Sequence, residues 1–177
     1  MDGSPATEYH PVTKLLHWGI FFLMAAQFLV GYTLEGLDEG DLSEDRLFIL
    51  HVSLGTTILL LSIFRIGWRR RRPLPPWAST LSPFERRYSH LVERFLYVLM
   101  VAIPLSGLAL AVADERPLPF VGEIAISEAL DDSDVEDVFE AGHIATHLAF
   151  FAAFTLHIGL VIKHQFFDRD GLLRRML

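Results

Sequence analysis

The sequence predicts an all-α integral membrane protein, a four-helix up-down bundle with both termini in the cytoplasm. Three observations carry that expectation. First, 51% of the 177 residues are hydrophobic, and they gather in four blocks at about residues 14–34, 47–68, 91–113 and 141–165. Each is about 20 residues or longer, the length needed to cross a hydrocarbon layer about 30 Å thick. With no water there, backbone polar groups are satisfied only inside a helix. Second, runs such as Ile58–Ile63 and Phe150–Phe154 leave little of the polar face that a soluble bundle needs on each helix. Third, basic residues are shared unevenly. The stretch Arg65–Arg87 carries seven arginines, and the C-terminal end adds Lys163, Arg169, Arg174 and Arg175. The connections 34–46 and 114–140 hold one arginine each, Arg46 and Arg116. Lys and Arg mark the cytoplasmic side, and an even number of spans brings the N-terminus there too. Residues 1–177 are expected to form one domain.

Residues 1–13 are a short polar lead, and His10 just before the first span is expected to be interfacial. The first block has too long an apolar run for a cleavable signal peptide, so it is expected to remain as a span. It opens with His17-Trp18, and Gly31 near its exit offers a close-approach surface. The second block opens with His51-Val52-Ser53-Leu54-Gly55, and Gly55, one turn below His51, removes a side chain where a planar cofactor would lie. Arg65 follows His51 by 14 residues, on nearly the same helix face. It is placed to snorkel to lipid phosphates or to pair with a cofactor carboxylate. Pro73–Pro76 makes a stiff turn. Ser82-Pro83 with Glu85 reads as a helix start, leading through His90 into the third block. Pro104 and Gly107 bend that block, which has no central histidine and reads as a wall. In the last connection, Asp131–Glu140 reads as an amphipathic surface helix with Val135, Val138 and Phe139 facing the bundle.

The fourth block carries His143, His147, His157 and His164. Ionisable groups within a membrane are costly and are functional candidates by default. His157 lies about 40° round the helix from His143 and roughly 21 Å along it, and His164 falls about 20° further on. One helix therefore offers an imidazole near each side of the membrane. Arranged by depth, His17 meets His157 at the inner level and His51 meets His143 at the outer level. Two facing imidazoles are what a six-coordinate haem b needs, and with both axial positions filled the site favours electron transfer over oxygen binding. The sequence contains no cysteine, which excludes iron–sulfur clusters, thiolate metal sites and covalent c-type haem attachment.

Together, H-W at 17–18, H-V-S-x-G at 51–55 with Arg65 after it, P-x-S-G at 104–107, and the His143/His157 spacing resemble the bacterial cytochrome b561 family, from about Tyr9 to Leu173. The resemblance implies a four-helix membrane cytochrome of the bacterial inner membrane with two b haems. It implies axial ligands His17 and His157 for the inner haem, and His51 and His143 for the outer one, with Gly55 and Arg65 at the cofactors. His147 has no counterpart among the family ligands. Some members are similar to superoxide oxidases, which pass an electron from superoxide to ubiquinone. His164 corresponds to a family position near the inner haem. With Lys163 or His90 it is the expected quinone site, since quinone reduction takes up protons and imidazole exchanges them near neutral pH.

The outer donor is expected to be superoxide or an electron-donor protein. The net charge of −7 comes mostly from the two acidic connections. An anionic substrate benefits from a positive entrance, which only Arg46 and Arg116 offer here. Acidic loops suit a neutral or cationic protein donor better. Two other readings stay open: a membrane anchor passing electrons from a hydrogenase or dehydrogenase partner to quinone, and a haem-free helical membrane protein with structural histidines. No phosphate-binding loop or nucleic-acid-binding pattern is present, and the oligomeric state is not legible.

Overall fold

The computed structural model describes residues 8–37, 41, 43–72, 74–77, 80–114, 116, 118, 119 and 133–177. Four helices dominate it: α1 (Pro11–Glu35), α2 (Glu44–Arg71), α3 (Pro83–Ala113) and α4 (Ser133–Ile162). All four are long and apolar enough to cross a membrane.

The helix ends follow from local chemistry. Pro11 opens α1, and the His10 side chain accepts a hydrogen bond from the Val12 N–H at 3.2 Å. So His10 caps a helix as well as sitting beside it. In α2, Glu44 and Asp45 occupy the first turn and Arg69, Arg70 and Arg71 the last, which places charge of the right sign at each end of the helix dipole. α3 starts with a full capping box, in which Ser82 Oγ accepts from the Glu85 N–H and Glu85 accepts from the Ser82 N–H. α4 runs into a π-helical turn, Lys163–Asp168, which ends where Arg169 takes a left-handed conformation at φ 52°. A short 3₁₀ turn, Leu173–Met176, follows.

Contacts fix the direction of each helix. His51 at the start of α2 meets Gly31 near the end of α1. Arg69 at the end of α2 bonds Glu93 near the start of α3 at 2.7 Å. Glu85 at the start of α3 bonds Lys163, just past α4, at 2.7 Å. Each helix is therefore antiparallel to the next. The two ends of the described chain meet: the Tyr9 N–H donates to Arg175 O at 3.2 Å and Trp18 Nε1 to Met176 O at 2.9 Å. This is called the terminal end below, and the other the distal end.

Ile20, Met24, Ile58, Leu99, Ile103, Phe150 and Ala153 fill the middle of the bundle from all four helices. Large apolar side chains also face outward, among them Phe22 (64% exposed), Leu60 (63%) and Leu148 (64%). A bundle apolar both inside and outside has lipid as its solvent.

One expectation is corrected. Ser133–Glu140 is not a separate surface helix, because α4 continues unbroken through Glu140 into the apolar block. Val138 faces outward at 69% exposure. Asp131 lies outside the described residues.

Candidate functional site

The bundle brings histidines together at two levels. At the terminal end, His17 of α1 faces His157 of α4, with ring centres 6.3 Å apart and planes at 64°. Trp18 packs edge-on against His17. Arg65, from the last turns of α2, donates to Thr13 O at 3.1 Å and places its other guanidinium nitrogen 3.4 Å from His17 Nδ1.

At the distal end, His51 of α2 faces His143 of α4, with ring centres 6.5 Å apart and planes at 86°. Ser106 Oγ donates to Ile103 O at 2.8 Å. Its proton is thus committed, and at the 2.9 Å contact with His143 Nδ1 it accepts the ring N–H. That leaves the lone pair of His143 on Nε2. Two glycines give these rings their room. A Cβ at Gly31 would stand 2.8 Å from His51 Cε1, and one at Gly107 would stand 2.8 Å from His143 Cε1. A cavity of about 310 Å³ opens beside both histidines, and Gln27, Gly55 and His147 also line it. His147 sits one turn along α4, its ring 4.2 Å from that of His143 and edge-on to Phe28.

These residues fit a b haem at both levels. A metal–imidazole bond is about 2 Å long, so two imidazoles on opposite sides of one metal have ring centres roughly 6 Å apart. Both pairs have that separation.

The sequence pattern described as Prokaryotic cytochrome b561 matches residues 8–177. The chain belongs to the prokaryotic cytochrome b561 family. It is 28% identical to Cytochrome b561 homolog 2 of Escherichia coli (strain K12) over 172 residues, 96% of this chain and 91% of that one. It is 26% identical to the Probable superoxide oxidase CybB of Yersinia pestis over 129 residues, 73% of each chain. The protein is therefore a prokaryotic multi-pass membrane protein and a b-type cytochrome of electron transfer.

The residues expected at the quinone do not all meet. His164 is buried in the π-helical turn, with Nδ1 2.8 Å from Asp170 and 2.9 Å from Asp168. Its Nε2 has no partner among the described residues. Burial opposes ionisation of Asp170, but the Leu172 N–H at 3.1 Å, the Thr80 hydroxyl at 3.0 Å and His164 outweigh it. They hold its carboxyl below the usual range. Lys163 bonds Glu85 at 2.7 Å and Asp168 at 2.6 Å. His90 stands apart, packed edge-on to Trp77 and near Glu93.

Arg116 is not a free anion site. It bonds Glu44 at 3.0 Å and Asp45 at 3.5 Å and stacks over Phe48 at 3.9 Å. Glu35, Asp114 and Glu140 line the cavity with it. Arg46 is exposed and is not among the described lining residues. Sequence reasoning missed Gln27, Ser106 and the partners of Gly31 and Gly107. The signal for Gln27 was its amide inside an apolar span, a position where polar side chains need a reason.

Proposed function

We propose that this protein holds two b haems and carries electrons from a one-electron donor on the periplasmic side of the bacterial inner membrane to ubiquinone. His17 and His157 would hold the haem at the terminal end, and His51 and His143 the one at the distal end. The observation that carries the reading is the repeated ring-centre separation, 6.3 Å and 6.5 Å, at two levels of one bundle. The seven arginines of the stretch Arg65–Arg87, around the end of α2 and the start of α3, support a cytoplasmic terminal end.

When bound, the haems supply one-electron redox chemistry. The chain does the rest. Each imidazole pair would hold one haem through two protein nitrogens, a set that suits electron transfer rather than oxygen binding. Ser106 holds His143 with Nε2 presented. Arg65, anchored on Thr13 O, supplies positive charge beside His17, where a haem carboxylate would be neutralised. His164 and Lys163 form the quinone region, with His164 Nδ1 held on Asp170 and its buried Nε2 without a partner among the described residues.

Superoxide is the small donor to test first, because the Yersinia pestis relative is named for it. The acidic lining and the paired Arg116 favour a second reading, in which the donor is a neutral or cationic protein. A pyridine haemochrome assay per polypeptide, followed by stopped-flow mixing with superoxide and a soluble quinone, tests both. Two haems, rapidly reduced by superoxide and reoxidised by quinone, support the first reading. Two haems inert to superoxide leave the second. A colourless protein, or one holding a single haem, overturns the ligand assignment.

A further inference from the structure

Gln27 is a buried amide in the middle of an apolar span, only 9% exposed, and it lines the distal cavity. Its Oε1 has no hydrogen-bond partner among the described residues. Its Nε2 stands 3.2 Å from Nδ1 and 3.1 Å from Nε2 of His51. These are the hydrogen-bond contacts of His51 among the described residues. Two glycines make the meeting possible. Gly31, one turn beyond Gln27, admits the His51 ring, and a Cβ at Gly55, one turn beyond His51, would stand 3.3 Å from the Gln27 amide nitrogen.

A neutral imidazole has one lone pair and one N–H. While the lone pair is free, the Gln27 amino group can donate to it. Iron ligation consumes that lone pair, and the other ring nitrogen is then purely a donor. The group within reach is the Gln27 amide, and only its oxygen can accept. Equally near both ring nitrogens, the amide lies over the face of the ring, and a turn of the ring brings one nitrogen into line with it. An amide turned end for end has nearly the same shape, and the exchange gives the orphaned oxygen its partner.

Resting on the ligand assignment proposed above, we infer that Gln27 is the positioning residue of the distal haem: its Oε1 accepts the second N–H of His51, fixing the ring's tautomer and plane and holding that haem's potential down. An acceptor on the outer nitrogen makes a metal-bound imidazole a stronger donor, and a stronger donor favours ferric iron. The terminal-end pair has a different neighbour. Arg65, beside His17 Nδ1, has donors only and cannot play this part. The effect of Gln27 is therefore confined to one haem.

The test is a spectroelectrochemical titration, with low-spin electron paramagnetic resonance, of the purified full chain and of Gln27→Leu and Gln27→Glu. Gln27→Leu should keep two haems and shift one ferric/ferrous equilibrium about tenfold towards ferrous, about 59 mV upward for a one-electron couple. The same haem's resonance should move, and the other haem should stay in place. Gln27→Glu, a stronger acceptor, should move the same midpoint downward. If Gln27→Leu sheds a haem, Gln27→Glu decides alone: a lowered midpoint supports the inference and an unmoved one overturns it. Two haems with unmoved midpoints, or both midpoints moved alike, overturn the role of Gln27 and leave the ligands standing. A parent chain with fewer than two haems sinks the ligand assignment, and this inference with it.

Discussion

Gly107→Ala should damage the distal haem site while leaving the bundle folded. The added Cβ would stand 2.8 Å from His143 Cε1, whereas carbon atoms settle at about 3.5–4.0 Å. The ring must give way by roughly 0.7 Å or more. Metal sites hold their bond lengths to within about 0.2 Å, so a ring displaced that far no longer reaches the iron in the same geometry. His143 cannot swing aside freely, because Ser106 holds its Nδ1–H at 2.9 Å. Backbone effects run the other way, since alanine is better than glycine inside a helix by about 0.8–1.0 kcal/mol. The assay is haem per polypeptide by pyridine haemochrome, read beside the helical circular dichroism. Haem content should fall from two towards one with helicity intact. Gly31→Ala, whose Cβ would stand 2.8 Å from His51 Cε1, should empty the same site, and Gly19→Ala, with nothing within 4 Å, should keep both haems. If Gly107→Ala retains two haems with unchanged spectra, His143 does not sit at a fixed ligand position and the reasoning fails.

Ser106→Ala removes the acceptor of the His143 N–H. It should weaken haem retention at the distal site by about 10–100-fold, measured by haem transfer to an apo-acceptor protein. His17→Ala and His157→Ala should lose one and the same haem, His51→Ala and His143→Ala the other, and His147→Ala neither. A spectrum showing that His147→Ala empties the distal site would move the ligand by one turn. Because Glu35, Asp114 and Glu140 line the cavity, the rate of reduction by an anionic donor should rise with added salt, which screens like charges beyond about 10 Å at 0.1 M. A rate that falls with salt would show a positive entrance instead. His164→Leu should keep both haems and slow reoxidation by quinone in stopped-flow, and an unchanged rate would remove His164 from that step.

The spans were legible because run length and backbone satisfaction leave little choice inside a membrane. The meeting of His17 with His157 and of His51 with His143 was legible because the helix rise converts sequence spacing on α4 into depth. What could not be read were contacts that depend on how each helix is turned about its axis. Pro104 and Gly107 read as a bend in a wall helix, yet the rotation of α3 points Ser106 and Gly107 at His143. Arg116 read as a possible attractor of anions, since nothing in its neighbours along the chain shows that Glu44 and Asp45 lie across from it. The surface helix expected before Glu140 was an error of punctuation. Val135, Val138 and Phe139 suggested a separate amphipathic piece, but no proline separates Glu140 from the apolar block, and a lone Gly142 did not end the helix.

The unbroken backbone of α4 from Ser133 to Ile162 has a consequence for how this protein tolerates change in length. One residue inserted between His143 and His157 would turn one imidazole by about 100° and carry it only about 1.5 Å. Seven residues deleted would restore the angle to within about 20° while shortening the gap by about 10 Å. The segment behaves as a ratchet with near-whole-turn teeth. Insertions and deletions are admissible in the connections, and between these two positions only in steps that keep both rings on one side of the rod.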